Sequence, residues 1–243
     1  MRLYLVMEII SGLHNLRPHH KGCVLTIGNF DGVHRGHQRL IEHLRVQSQK
    51  LQLPTMLMTF EPQPREFFAG AMLPARLTRF REKVHLLERT GLDRLLCMPF
   101  NEQTSQIPAE WFAEEFLTEL VGAHYVVIGD DFRFGHERKG DFKLLQNTGT
   151  RLGYEVISVD TVLQGGDRVS STLVRSTLSA GDFRKAAELL GHEYFIMGRV
   201  VYGRQLGRQL GVPTANVKLQ RYRAALEGVY CVTVDGVAED GRA

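Results

Sequence analysis

The sequence predicts an α/β chain in two parts: a parallel sheet covered by helices on both faces over residues 1–186, then a shorter all-β module over 187–243. Three observations predict it. Short apolar runs alternate with amphipathic stretches through the first three quarters, the pattern of parallel strands joined by crossover helices. Near residue 187 that alternation gives way to strand and turn signals with no helix between them. A chain of 243 residues with 43% apolar and 23% charged side chains has ordinary globular composition and enough length for a sizeable core.

The N-terminal MRLYLVMEII reads as a strand. It is short, carries Glu8 and lacks a small-residue cleavage site, so it does not read as a secretory signal. CVLTIG (23–28) is a second apolar run, ended by glycine. In the following HQRLIEHLRVQSQK, Leu40, Ile41 and Leu44 recur at helical spacing. PTMLMTF (54–60) is the next buried strand, closed by a turn at Pro62 and Pro64. TRFREKVHLLERTG is a helix with Gly91 as its stop, and RLLCM (94–98) a strand. AEWFAEEFLTELVG, after Pro108, is another glycine-ended helix, while HYVVIG (124–129) and EVISV (155–159) complete the strands. The helix DFRKAAELLG leads to the boundary, which falls within 185–194. Beyond it, FIMGRVVYG and GVYCVTVDG read as strands around the glycine-rich GRQLGRQLGVPTANV.

Several classes of function are excluded. A net charge of +3 is too mild for a nucleic-acid coat, yet it permits anionic substrates. No apolar run reaches the roughly 18 residues a membrane helix needs. Cys23, Cys97 and Cys231 lie far apart, which argues against a disulfide framework or a zinc cluster and for free thiols in a reducing cytoplasm. No internal repeat or low-complexity tract is present.

The strongest chemical signal is GNFDGVHRGH, residues 28–37, set between a strand and a helix. Ligands of open α/β sheets bind beyond the carboxyl ends of strands. A helix N-terminus there offers unpaired N–H groups and partial positive charge, both of which favour phosphate. Gly28, Gly32 and Gly36 allow close backbone approach, with Asn29, Phe30 and Asp31 in the same loop. His34 and His37, three residues apart, project on one side as hydrogen-bond donors to phosphate oxygens. Neither GxxxxGK[ST] nor GxGxxG occurs at this turn, so a P-loop and a dinucleotide fingerprint are both disfavoured. A zinc site is disfavoured too, because HExxH is absent.

GNFDGVHRGH resembles the HxGH signature of the nucleotidyltransferase superfamily in its flavin-specific form. Four later segments agree: TFEPQPRE (59–66), VIGDDFRFGHERKG (127–140), RVSSTLVR (168–175) and GRQLGVPTANV (207–217). Together they resemble the bacterial bifunctional riboflavin kinase/FAD synthetases along almost the whole chain. The resemblance implies a Rossmann-like nucleotidyltransferase domain that transfers AMP from ATP to FMN, giving FAD and pyrophosphate. It implies that His34 and His37 bind the triphosphate, that Ser171 and Thr172 hydrogen-bond phosphate oxygens, and that Arg168 and Arg175 neutralise the departing pyrophosphate. Arginine suits that task because its planar fork pairs with two phosphate oxygens. By itself, SST is an ordinary helix cap. The loop carrying Asp131, Phe132 and Phe134 is implied to lie against flavin and nucleotide. A phenylalanine there either stacks on isoalloxazine or packs the loop onto the core. Pro62 either stiffens a loop beside the flavin or ends a strand in a routine turn.

In the second module the resemblance implies a riboflavin-kinase-type barrel in which Thr214 and Asn216 contact Mg²⁺ and an ATP phosphate. Neutral oxygen donors suit a hard cation held mainly by phosphates. Residues 194–226 hold six basic residues and no acid, which also suits nucleotide phosphates. The sequence ends at Ala243, before the segments in which this family carries its general-base glutamate and most of its flavin pocket. The expectation is therefore a partial barrel with exposed strand edges that does not phosphorylate riboflavin. The expected partners are ATP, FMN and FAD, with no nucleic acid and no membrane; oligomeric state is left open. Two rival readings remain: an HxGH enzyme acting on a different phosphorylated acceptor, and a non-catalytic flavin- or RNA-binding protein.

Overall fold

Six parallel strands form the sheet: β1 (Glu8–Ser11), β2 (Cys23–Ile27), β3 (Thr55–Glu61), β4 (Arg94–Pro99), β5 (Ala123–Gly129) and β6 (Glu155–Val159). The computed structural model describes residues 7–68, 73–212 and 214–236, so most of MRLYLVMEII lies outside the described residues and its strand begins at Glu8. Strand order is β1-β4-β3-β2-β5-β6. From β2 the chain winds first toward β3 and β4, then crosses back to place β5 on the other side of β2. The reversal makes the gap between the carboxyl ends of β2 and β5 the topological switch point, where such sheets bind ligands.

The helices cover both faces. On one lie α1 (Arg35–Leu51) and, after the short α2 (Pro64–Phe68) whose Phe67 and Phe68 pack on Phe100, α3 (Phe80–Glu88), with Ile41 and Leu44 of α1 and Leu86 and Leu87 of α3 packed on Val24, Leu57, Leu95 and Val127. On the other, after the single turn α4 (Glu102–Ser105), α5 (Ala109–Trp111) runs into a π-helical stretch, Phe112–Leu120. Phe112, Phe116 and Leu117 of that stretch and Leu145 of α6 (Phe142–Leu152) pack on Cys23, Leu25, Ile27, Met56 and Met58. Neighbouring residues of β2 thus serve opposite cores, and all five are buried. Two covered faces explain why the central strands read as continuous apolar runs.

Helix α6 has little sequence signal, since Asn147, Thr148, Gly149 and Thr150 interrupt its apolar spacing. Packing decides it: a Cβ on Gly149 would stand 2.3 Å from the Tyr154 carbonyl oxygen. Gly149→Ala is expected to destabilise the protein by about 1–3 kcal/mol through overpacking, measured by urea denaturation. The short hairpin of β7 (Leu163–Gln164) and β8 (Asp167–Arg168) turns at Gly165 and Gly166, both at positive φ, as a two-residue turn requires.

Helices α7 (Ser171–Ser179) and α8 (Phe183–Leu190) pair over a third cluster containing Leu77, Val169, Val174, Leu178, Ala186, Leu189 and Leu190. A division at 186/187 therefore falls inside α8, which continues to its left-handed cap at Gly191. Beyond it, β9 (Arg199–Val201) pairs antiparallel with β10 (Asn216–Lys218), and α9 (Leu206–Gln209) is a single turn between them. The strand expected over 228–236 does not form: among the described residues it has no partner ladder, and Val229, Val232 and Val234 are exposed. The segment after β10 returns to α3, where Arg221 donates to both carboxylate oxygens of Glu82 at 2.6 and 2.8 Å, with both side chains 1% exposed.

Candidate active site

A cavity of about 410 Å³ opens at the switch point. Gly28, Asn29, Phe30, Asp31, His34, Gly36, His37, Asp131, Phe132, Arg168, Ser171, Thr172 and Arg175 all line it. Three stretches far apart in sequence meet there: the loop after β2, the loop after β5, and the start of α7.

The first loop is held in an unusual conformation. Phe30 and Val33 both have positive φ, at 49° and 42°, without being glycine. Such backbone persists only where its surroundings over-determine it, and Asp31 supplies much of that constraint. Its buried carboxylate accepts hydrogen bonds from the Leu77 and Thr78 amides at 3.1 and 2.9 Å and from Arg175 Nη1 at 3.0 Å. Ser171 Oγ donates to the Asp31 carbonyl at 2.9 Å, which ties α7 to the same loop. Asp31 and Phe30, the latter 1% exposed, thus support the cavity wall more than they present groups to a ligand. Ser170, not Ser171 or Thr172, caps α7 by accepting from the Leu173 amide at 3.2 Å.

His34 caps α1. Its Nδ1 accepts from the His37 amide at 3.4 Å, so the neutral ring carries its proton on Nε2, free to donate. The two imidazoles stack with centroids 3.6 Å apart, and His37 also meets Phe30 at 4.7 Å. Gly36 keeps the space beside them open, since a Cβ there would lie a tight 3.2 Å from the His34 ring. Burial pushes the His34 pKa down to about 4, with Arg175 and Arg168 acting the same way. Burial, His34 and Lys83 together hold His37 well below its ordinary value. Its Nδ1 is buried without a hydrogen-bond partner among the described residues. Near neutral pH the ligand-free site therefore holds two uncharged donor rings.

Arginines balance the acids of the cavity. Arg168, half exposed, pairs with Asp131 at 2.7 Å and Asp130 at 3.4 Å. Arg76 clamps Glu61 at 2.7 Å and also pairs with Glu66. Arg65 lines the cavity with no ion pair among the described residues. Gln63, Arg65 and Glu66 lie inside the quoted TFEPQPRE motif, whereas Arg76, Asp160 and Thr161 carried no sequence signal.

Other residues singled out in the sequence stand apart. Phe134 is 8% exposed, packs on Phe112 at 5.3 Å and forms a bridge with Gly140, so of the two readings the core one applies. Phe132 is stacked on it at 5.6 Å and reaches the cavity. Pro62 is exposed at the end of β3 and does not line the cavity. Thr214 and Asn216 are exposed beside Gly207 and Gly203, a Cβ on which would meet them at 3.1 and 2.4 Å; Pro213 of the same motif lies outside the described residues. Their neutral oxygens fit a Mg²⁺ ion whose remaining ligands are phosphates and water.

Among the described residues one cluster has metal-like spacing: Glu8, His19 and His20. Its chemistry is that of a latch. His20 Nδ1 accepts from the Arg17 amide at 2.9 Å, leaving Nε2–H to bond Glu8 at 2.9 Å, and Arg94 lies 3.6 Å from the same carboxylate.

Comparison with known proteins agrees with this geometry. The sequence model of the FAD synthetase family matches residues 16–173, and that of the riboflavin kinase family matches residues 190–240. A bifunctional riboflavin kinase/FMN adenylyltransferase of Pseudomonas fluorescens is 49% identical over 229 residues, covering 94% of this chain and 73% of the relative. That of Escherichia coli K12 is 47% identical over 96% of this chain and 75% of its own length. Among solved structures, one described as a macrolide-efflux protein of Streptococcus pneumoniae superposes with a TM-score of 0.75 at 30% identity, over 93% of this chain and 73% of that one. Among the described residues no helix is long and apolar enough to cross a membrane.

Proposed function

The chain belongs to the bifunctional riboflavin kinase/FMN adenylyltransferase family, and from that premise we propose that its sheet domain makes FAD from ATP and FMN. An FMN phosphate oxygen attacks the α-phosphorus of ATP. The bond from that phosphorus to the oxygen bridging it to the β-phosphorus breaks, and pyrophosphate leaves. The nucleophile arrives already ionised, so the protein needs no activated serine, cysteine or lysine. What it supplies is in-line positioning and stabilisation of the charge on the leaving group.

One observation carries the reading: two neutral imidazoles, two arginines and the N-terminal turn of α7 converge on one cavity from two motifs more than 130 residues apart. In this scheme His34 Nε2–H and His37 donate to the triphosphate, Thr172 and the amides of α7 bind its oxygens, and Arg168 and Arg175 meet the pyrophosphate. Gly28, Asn29 and Gly36 let the chain approach the nucleotide, and Phe132 stacks on the flavin. In the second domain, best divided from the first after Gly191, Thr214 and Asn216 would hold a Mg²⁺ ion, which would offset the negative charge of ATP phosphates. The three free thiols, Cys23, Cys97 and Cys231, suit work in a reducing cytoplasm, and the partners in this reading are the small molecules ATP, FMN and FAD.

The test is an incubation with Mg-ATP and either FMN or riboflavin, which lacks the acceptor phosphate, followed by chromatography and a pyrophosphate assay. FAD and pyrophosphate from FMN are expected. Pyrophosphate release only with another phosphorylated acceptor favours the first rival, and salt-sensitive RNA binding without turnover favours the second. Arg168→Ala separates site from scaffold. Its ion pairs are half exposed, so stability is expected to change by less than about 1 kcal/mol, while FAD formation falls on the order of 10²-fold.

A further inference from the structure

Lys83 has no part in that scheme, yet it lies beneath the site. It belongs to α3 and is fully buried. Its ammonium donates to Thr59 Oγ1 at 3.2 Å, and Thr59 Oγ1 in turn donates to the Asn29 carbonyl at 3.3 Å. The neighbouring carboxylates are engaged elsewhere, Glu61 by Arg76 and Asp31 by Arg175. Among the described residues none forms an ion pair with Lys83. Burial accordingly pulls its pKa down, opposed by the more distant charges of Asp31 and Glu61. An unpaired ammonium in a protein core costs several kcal/mol, and an apolar side chain of similar length would avoid that cost. Packing does not explain a lysine here.

We propose that Lys83 is a positioning residue of the adenylyl-transfer site: through Thr59 it holds the Asn29 carbonyl at the head of the histidine loop, and it sets a fixed positive charge behind His37. The proposal rests on the adenylyltransferase reading above. The loop it braces is the strained one, with Phe30 next to Asn29 at positive φ, so a brace on the Asn29 carbonyl bears directly on where His34 and His37 stand. The ring of His37 stacks on His34 at the head of α1 and meets the uncharged Phe30 ring, and the charge of Lys83 on α3 reaches it through space. Both neighbouring groups oppose its protonation, so Lys83 helps to keep it a neutral donor until an anionic phosphate arrives.

Lys83→Met in the full chain is the decisive variant. It is expected to fold with a melting temperature equal to or above that of the unaltered protein. Misplacement of the loop should lower kcat on the order of 10²-fold while KM for FMN stays unchanged. In the ligand-free protein the NMR titration midpoint of His37 should move to higher pH, because a neighbouring cation is gone; a purely structural lysine would not move it. Thr59→Val keeps the ammonium and cuts the relay, so it should also lower kcat, and it decides the matter if Lys83→Met does not fold. Unchanged kcat together with an unmoved His37 midpoint in Lys83→Met overturns the proposal, as does unchanged kcat in Thr59→Val. Should the unaltered protein make no FAD, the adenylyltransferase reading falls, while the titration still reads Lys83 on its own.

Discussion

Replacing His37 by alanine is expected to lower the rate of FAD formation by about 10²–10³-fold, the effect of removing one preorganised donor from a site of charge development. His37 stacks on His34 at 3.6 Å and has a buried Nδ1 with no partner among the described residues. Its removal therefore takes away a ligand-directed group and few structural bonds. Initial rates with FMN and Mg-ATP, beside a thermal melt, would read both consequences. Full activity in His37→Ala would remove the histidine pair from the mechanism. Retained melting temperature with lost turnover is the expected pattern.

Asp31→Ala should do the opposite and act first on the fold. The carboxylate is 4% exposed and receives hydrogen bonds from two backbone amides, the Thr78 hydroxyl and Arg175. Removing it leaves a largely buried guanidinium without its counter-ion, a change that costs about 3–5 kcal/mol. A shift of that size should show clearly in urea denaturation, with FAD synthesis lost alongside. Asp31→Asn keeps the acceptor oxygen and the shape, so it should cost less stability. If Asp31→Ala unfolds at the same urea concentration as the unaltered protein, the loop is held by something other than this network.

Much of this was legible in the chain. Five of the six parallel strands, β2 to β6, stand where apolar runs predicted them, since a strand buried among its neighbours needs little but apolar side chains to declare itself; β1 is described only from Glu8 and is mostly exposed. GNFDGVHRGH was legible because glycines and histidines at that spacing, between strand and helix, have few structural reasons to coincide. Helix α6 was not, because Gly149 is chosen for the approach of the Tyr154 carbonyl rather than for helix propensity. The 228–236 segment was misread for the converse reason: its alternation is that of a strand, but a strand requires a partner. Phe134 carried a motif's signal and lies in the core, as aromatic residues beside a cavity often pack its wall.

The sequence by itself determined the fold class, the change of architecture beyond α8, and the motifs that converge on the cavity. Those features depend on local periodicity and on residue types near one another in the chain. Only the tertiary structure decided that Arg175 answers Asp31 across 144 positions, that Arg76 occupies Glu61 and Glu66, and that Lys83 lies under the histidine loop. The charge of a buried group is set by what the sheet order brings beside it, and strand order is not written in the spacing of apolar residues.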